Sequence, residues 1–123
     1  MKKILMVGTG GTIASEMTAE GLAPELNTEQ LLEFIPDIGK FCRVDCLQLY
    51  NLDSTNIRPA DWLGVADILR KSYDAYDGFV ISHGTDTMAY TAAALSYLVQ
   101  GSAKPIVLTG AQKPIWFDGT DSK

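Results

Sequence analysis

The sequence predicts a three-layer α/β fold, with a mostly parallel sheet and helices on both faces. Three observations carry that prediction. Short, continuous apolar runs at 4–7, 79–81 and 106–108 suit strands buried on both faces of a parallel sheet. Stretches with helical periodicity lie between them. The runs end in polar turns rich in glycine and threonine, as expected where a buried strand meets the surface.

The elements follow in order. Ile4-Leu5-Met6-Val7 forms the first strand and opens into Gly8-Thr9-Gly10-Gly11-Thr12-Ile13-Ala14, after which a long loop is expected. Asn27-Thr28-Glu29-Gln30 has the form of a capping box. Leu31, Leu32 and Ile35 then supply a buried stripe, and Pro36 stops the helix. Residues 41–50 alternate more clearly and predict a strand near a sheet edge. Pro59 suits a first helical position, and Trp62, Val65, Ala66 and Leu69 make 59–72 amphipathic. After Phe79-Val80-Ile81, a stripe of Met88, Ala92, Leu95 and Val99 predicts a helix over 86–100 that Gly101 ends. Ile106 to Leu108 is the last strand. From Ala111 to Lys123 no further element is evident, and Trp116 and Phe117 have nothing local to pack against. The chain reads as a fragment that stops where the next helix would begin.

Bulk properties narrow the functional classes. The 123 residues suffice for one domain with one sizeable core, and 46% hydrophobic with 20% charged residues is ordinary for a soluble globular protein. A net charge of −5 with no run of like charges weighs against a nucleic-acid surface. Four strongly apolar residues before Gly8 are too few for a secretory leader, and no apolar stretch is long enough to span a membrane. Cys42 and Cys46, four apart on a strand, share a face but stand too far apart to bridge. With His83 the only histidine, they lack the partners of a metal site and read as free thiols in a reducing compartment.

Ligands of open α/β sheets bind beyond the carboxyl ends of the strands. Four polar turns fall at such ends: Gly8 to Thr12, Asp53-Ser54-Thr55-Asn56, His83-Gly84-Thr85-Asp86-Thr87 and Thr109-Gly110-Ala111-Gln112. They carry hydroxyls, amides and small residues, and none holds a lysine or glutamate. Phosphate binding fits the first turn poorly. Ile13 stands where a dinucleotide fingerprint needs its third glycine, and Gly11 where a P-loop needs lysine. Thr12 is a candidate nucleophile, given a base for its proton or donors for an oxyanion; amides of the glycine turns are candidate donors. Thr85 and Asp86 suit a proton relay. Asp86 equally suits a substrate ammonium, or the cap of the following helix. Ser54 and Thr55 suit donation to a substrate carboxylate, or an ordinary turn before the Pro59 helix. His83 attracts a general-base role, but a ring at a strand end is more naturally packed and bonded to backbone.

Taken together, Thr9-Gly10-Gly11-Thr12-Ile13-Ala14 and His83-Gly84-Thr85-Asp86-Thr87-Met88 resemble the two signature motifs of bacterial-type L-asparaginases. Asp53-Ser54 and Thr109-Gly110-Ala111-Gln112 resemble that family's further substrate-side segments, so the resemblance covers essentially the whole chain. The missing leader points to the cytoplasmic type I branch. The resemblance implies the N-terminal domain of the asparaginase fold, flavodoxin-like or Rossmann-like, over residues 1–123. It implies hydrolysis of L-asparagine to L-aspartate and ammonia with no metal or cofactor. Thr12 is then the nucleophile that forms an acyl-enzyme, with Thr85 and Asp86 in a second catalytic group. Gly11, Asp53, Ser54, Thr55, Gly84 and Ala111 line the substrate, and His83 is not catalytic.

Three departures accompany the resemblance. The family's catalytic lysine lies downstream, and Lys104, Lys113 and Lys123 do not occupy its motif. The family's smaller C-terminal domain, whose copy in a neighbouring subunit completes each site, is absent, so the intact protein is expected to be a dimer or tetramer and these residues alone poorly active. Residues 13–49 contain no lid tyrosine, and Leu22 stands roughly where one is expected. Two rivals remain. One is the asparaginase-like component of a tRNA amidotransferase, which normally carries an N-terminal extension where strand one here begins at Lys3. The other is a non-catalytic nucleotide- or anion-binding module.

Overall fold

The first apolar run grows into β1 (Lys2–Gly10), which lies inside the sheet because Leu5, Met6 and Val7 are all buried. The computed structural model describes residues 1–12, 15–19, 21–24 and 27–122, and side chains at 15–18 and 21–24 fall outside that description. The expectations resting on Ile13, Leu22 and Lys123 therefore lie beyond the described residues or side chains. β2 (Ser15–Thr18) and β3 (Gly21–Pro24) pair antiparallel, where the sequence suggested only a loop. Then come α1 (Thr28–Glu33), β4 (Cys42–Leu52), α2 (Pro59–Ser72), β5 (Gly78–Ser82), α3 (Met88–Leu98) and β6 (Ile106–Thr109).

Four strands form a parallel sheet in the order β4-β1-β5-β6. From β1 the chain steps outward to β4, then returns to β5 on the other side of β1. Such a reversal of strand order creates a crevice at the strand ends, here between β1 and β5. β4 occupies an edge, as its alternation predicted. β6 departs from expectation. Val107 is 51% exposed, because in the described sheet β6 has a neighbour on one side only.

Helices cover both faces. Leu5, Val7, Phe79 and Ile81 meet Val65, Ala66 and Leu69 of α2 and Leu95 of α3. Val7, Leu69, Phe79 and Ile81 are almost fully buried, and such burial stabilises by roughly 1.5–3 kcal/mol per side chain. On the opposite face Met6 meets Leu31 of α1, with Ala111 and Ile115 beside them. A groove of about 340 Å³ continues along this face between Ile4, Val44, Val80 and Val107.

The helix starts follow local chemistry. Asn27 Oδ1 accepts from the Gln30 N–H and Gln30 Oε1 from the Asn27 N–H, both at 2.9 Å, which completes the predicted capping box. Pro59 opens α2, and Asp61 Oδ2 accepts the Arg58 N–H at 2.8 Å. α3 is shorter than the predicted 86–100, and Thr87, not Asp86, holds its cap position. Its buried stripe is also shifted: Thr91 and Leu95 are buried while Ala92 is exposed. Cys42 and Cys46 are free, and burial pushes the Cys46 thiol up from its ordinary value.

The segment after β6 is not structureless. Asp121 accepts the backbone N–H groups of Gln112 and Lys113 at 3.0 and 3.1 Å, closing the chain on itself. Trp116 and Phe117, expected to lack local partners, pack on each other with ring centroids 5.7 Å apart. No described helix is long and apolar enough to cross a membrane.

Candidate active site

The parallel sheet delivers all four polar turns to one edge, with Gly10 paired to Leu52, Gly8 to Ser82, and Ser82 to Thr109. Glycine then lets the turns touch. Gly10 and Gly11 have φ of 107° and 89°, a region L side chains rarely adopt. A Cβ on Gly11 would stand 2.4 Å from Gly84 N, so the first turn lies directly on the third. A Cβ on Gly84 would stand 2.6 Å from Ser54 Cβ, and one on Gly110 would stand 2.4 Å from the His83 carbonyl oxygen. The third turn is thus the hub, touched by the other three.

Hydrogen bonds separate the framework groups from those left at the mouth. Thr9 Oγ1 donates to the Ser82 carbonyl at 2.7 Å, and Thr87 Oγ1 to the Ser54 carbonyl at 2.8 Å. Those two hydroxyls brace the turns. The Gly11 N–H donates to the Leu52 carbonyl at 3.1 Å, and the His83 N–H to the Thr109 carbonyl at 2.8 Å. These two amides are therefore spent on the framework.

Thr12 is half-buried directly after the two glycines, and Thr85 is half-buried across the Gly11–Gly84 contact. Gln112 Nε2 donates to Thr85 Oγ1 at 3.3 Å, which leaves the Thr85 proton for a further partner. Asp86 is exposed at the tip of the same turn. Ser54 is buried beneath Gly84, while Asp53 and Thr55 are exposed. Asp53 Oδ1 accepts both the N–H and the Oγ1–H of Thr55 at 3.1 Å, the hydrogen bonds of an ordinary turn before the Pro59 helix. Ala111 is buried beside Met6 and Ile115, with its backbone next to Gly110. The four turns hold two carboxylates, Asp53 and Asp86, and no lysine or arginine. Among the described residues no cluster of three His, Cys, Asp or Glu side chains is placed to hold a metal.

His83 is buried, with Nδ1 2.6 Å from the Gly84 carbonyl and Nε2 2.8 Å from Thr91 Oγ1. It is the packed, backbone-bonded ring that its strand-end position suggested. Thr91 and Gln112 carry no individual role in the sequence reading. Thr91 has a usable signal, since a hydroxyl four residues before Leu95 on a buried helical face needs a partner. Gln112 has none, because its contact with Thr85 spans 27 residues.

The Asp121 clasp that fixes Gln112 is pH-sensitive. The Gln112 and Lys113 N–H groups hold the Asp121 carboxyl below its ordinary value. A carboxylate with a depressed folded pKa contributes stability that is present above its unfolded value and lost as pH falls through the folded one. Hydrogen-exchange protection at Gln112 and Lys113 is therefore expected to persist through the ordinary carboxylate range and to be lost only as pH falls through the depressed folded value. Asp121→Ala should remove that protection at every pH, and protection retained in this variant would contradict the assignment.

Comparison with known proteins agrees with this fold. A family model for "Asparaginase, N-terminal" matches residues 3–123. An L-asparaginase of Thermococcus kodakarensis is 40% identical over 122 residues, which are 98% of this chain and 37% of that protein. A component of the Glutamyl-tRNA(Gln) amidotransferase of Saccharolobus solfataricus is also 40% identical, over 114 residues covering 90% of this chain and 26% of that protein. Among solved structures, the thermostable T. kodakarensis L-asparaginase superposes with a TM-score of 0.89 over 98% of this chain and 37% of its own. L-asparaginase I of Vibrio cholerae, 37% identical, gives 0.87 with the same coverage. A probable cytoplasmic L-asparaginase of Campylobacter jejuni, 34% identical, gives 0.85 over 99% of this chain and 36% of its own. The chain thus spans well under half the length of the relatives it matches.

Proposed function

This chain belongs to the asparaginase family, and on that premise we propose that the whole protein is a type I L-asparaginase to which these residues contribute the N-terminal domain. The observation that carries the reading is the contact of all four strand-end turns at one crevice, where Thr12 and Thr85 directly follow the touching glycines Gly11 and Gly84. In this reading Thr12 Oγ attacks the side-chain amide carbon of L-asparagine. A C–O bond forms, the C–N bond breaks, and ammonia leaves with the hydroxyl proton. Water then attacks the ester, releasing L-aspartate and restoring Thr12.

Thr85 takes part in the proton transfer, with its hydroxyl oriented by Gln112. Asp86, exposed at the turn tip, attracts the substrate ammonium, and Asp53 adds negative charge nearby. Ser54 and Thr55 serve the substrate's α-carboxylate, Gly11 and Gly84 keep the floor of the site low, and the Ala111 backbone meets the amide. A lysine and the partner-subunit groups come from further chain. No metal or cofactor takes part, and the protein acts as a homo-oligomer in the cytoplasm.

Equal identity to the amidotransferase component supports a second reading, in which the same chemistry serves a tRNA-dependent complex. Ammonia release from free L-asparagine by the full-length protein separates the two. Turnover without tRNA or a second protein is expected, and copurification with tRNA plus silence on free asparagine would favour the second. The melting temperature should rise with asparagine and aspartate, and a rise with ATP alone would revive the nucleotide-binding alternative.

A further inference from the structure

A chain of hydrogen bonds, part-buried at Trp62 and buried from Thr91 onward, runs from α2 through α3 to the turn that bears Thr85 and Asp86. Trp62 Nε1–H of α2 donates to Thr91 Oγ1 of α3 at 2.9 Å. Thr91 Oγ1 lies 2.8 Å from His83 Nε2, and His83 Nδ1 lies 2.6 Å from the Gly84 carbonyl oxygen. Both ends have fixed polarity, since an indole N–H only donates and a carbonyl only accepts. Nδ1 must therefore carry a proton. Thr91 already accepts from Trp62, and its own proton finds its acceptor in Nε2. The Nδ1–H tautomer is the arrangement in which every donor of the chain meets an acceptor. With a proton on Nε2, two donors would converge on Thr91 Oγ1, and the hydroxyl proton would lose that acceptor.

We propose that Trp62, Thr91 and His83 form a positioning device for the reaction. Through the Gly84 carbonyl they set the peptide plane between Gly84 and Thr85, and hence the direction in which Thr85 and Asp86 meet the substrate. The proposal rests on the amide-hydrolase reading above. Its physical basis is the freedom glycine would otherwise give this turn. Gly84 is already packed against Gly11 and Ser54, so what remains to be fixed is rotation of the following peptide. His83 holds that carbonyl, while Gln112 Nε2 donates to the Thr85 hydroxyl oxygen. His83 touches no substrate, because it is buried with both ring nitrogens engaged.

The test uses the full-length protein with Thr91→Val, which keeps the shape and loses the hydroxyl, and Thr91→Ser, which restores it. Thermal denaturation counts the folded fraction. Thr91→Val is expected to lower kcat per folded molecule about 10- to 100-fold, with KM changed less than about threefold, as for a small misalignment of reacting groups. Thr91→Ser should return kcat to within about threefold. Unchanged kcat in folded Thr91→Val, or no rescue by folded Thr91→Ser, would overturn the proposal. Long-range ¹H–¹⁵N correlation of the ring that disappears in His83→Gln should show Nδ1 protonated and Nε2 bare, and the opposite tautomer would equally overturn it. A parent protein inactive on amides would sink the functional reading and the positioning role with it. An active parent indifferent to Thr91→Val would sink the positioning role alone.

Discussion

Replacing Thr12 with alanine is expected to lower ammonia release from L-asparagine by at least ~1,000-fold in the full-length protein, the scale on which removal of a covalent nucleophile acts. The fold should survive. Thr12 is half-buried at the end of a turn whose backbone is held by Gly10, Gly11 and the Leu52 carbonyl. Loss of one hydroxyl and one methyl there should change stability by no more than about 1 kcal/mol. Binding should also survive in large part, because the carboxylates assigned to the ammonium sit on other turns. Thr12→Ser keeps a primary hydroxyl in place and should recover measurable turnover. Undiminished activity in Thr12→Ala would remove the nucleophile assignment.

The second large effect is steric. Gly11→Ala should abolish activity and destabilise the protein by roughly 2 kcal/mol or more, combining strained backbone with a collision. Its φ is 89°, and the new methyl would stand 2.4 Å from Gly84 N and 2.5 Å from Gly84 Cα. Relief would require the first and third turns to separate, pulling Thr12 away from Thr85. Gly84→Ala acts one layer further, pressing on Ser54 Cβ and Oγ at 2.6 and 2.7 Å. Gly39→Ala is the control: nothing lies within 4 Å of its Cβ, and its effect should stay within about 0.5 kcal/mol. Denaturant midpoints and turnover measured together decide this. A Gly11→Ala protein as stable and active as its parent would mean that the two turns do not touch in solution.

The sequence made the sheet legible because its inner strands are continuous apolar runs, and the helix starts legible because Asn27 and Pro59 act within one turn of chain. Other features depend on neighbours that no local pattern encodes. The stretch after Ala14 is expected as a long loop, yet 15–18 and 21–24 pair as a hairpin. Val107 belongs to an apolar run but lies half open, because the number of strands beside it is a property of the whole sheet. Asp86 had the composition of a cap, but α3 begins two residues later, and its side chain stays exposed at the mouth.

In the site, the turns and their glycines were visible, whereas what each glycine touches was not. Gly84 lies against Ser54, 30 positions earlier in the chain, and Gly110 against His83. Thr9, Thr12, Thr85 and Thr87 are alike as letters. Only the fold distinguishes the hydroxyls given to the Ser82 and Ser54 carbonyls from those left near the crevice.

The central claim, that Thr12 forms a covalent intermediate, is tested most directly by rapid acid quenching of the full-length protein during turnover of L-asparagine, followed by peptide mass spectrometry. The account predicts an aspartyl ester on the peptide containing Thr12, formed before the steady state and lost in Thr12→Ala. An ester on a different residue, or sustained turnover with no adduct under conditions that trap acyl-enzymes, would contradict it.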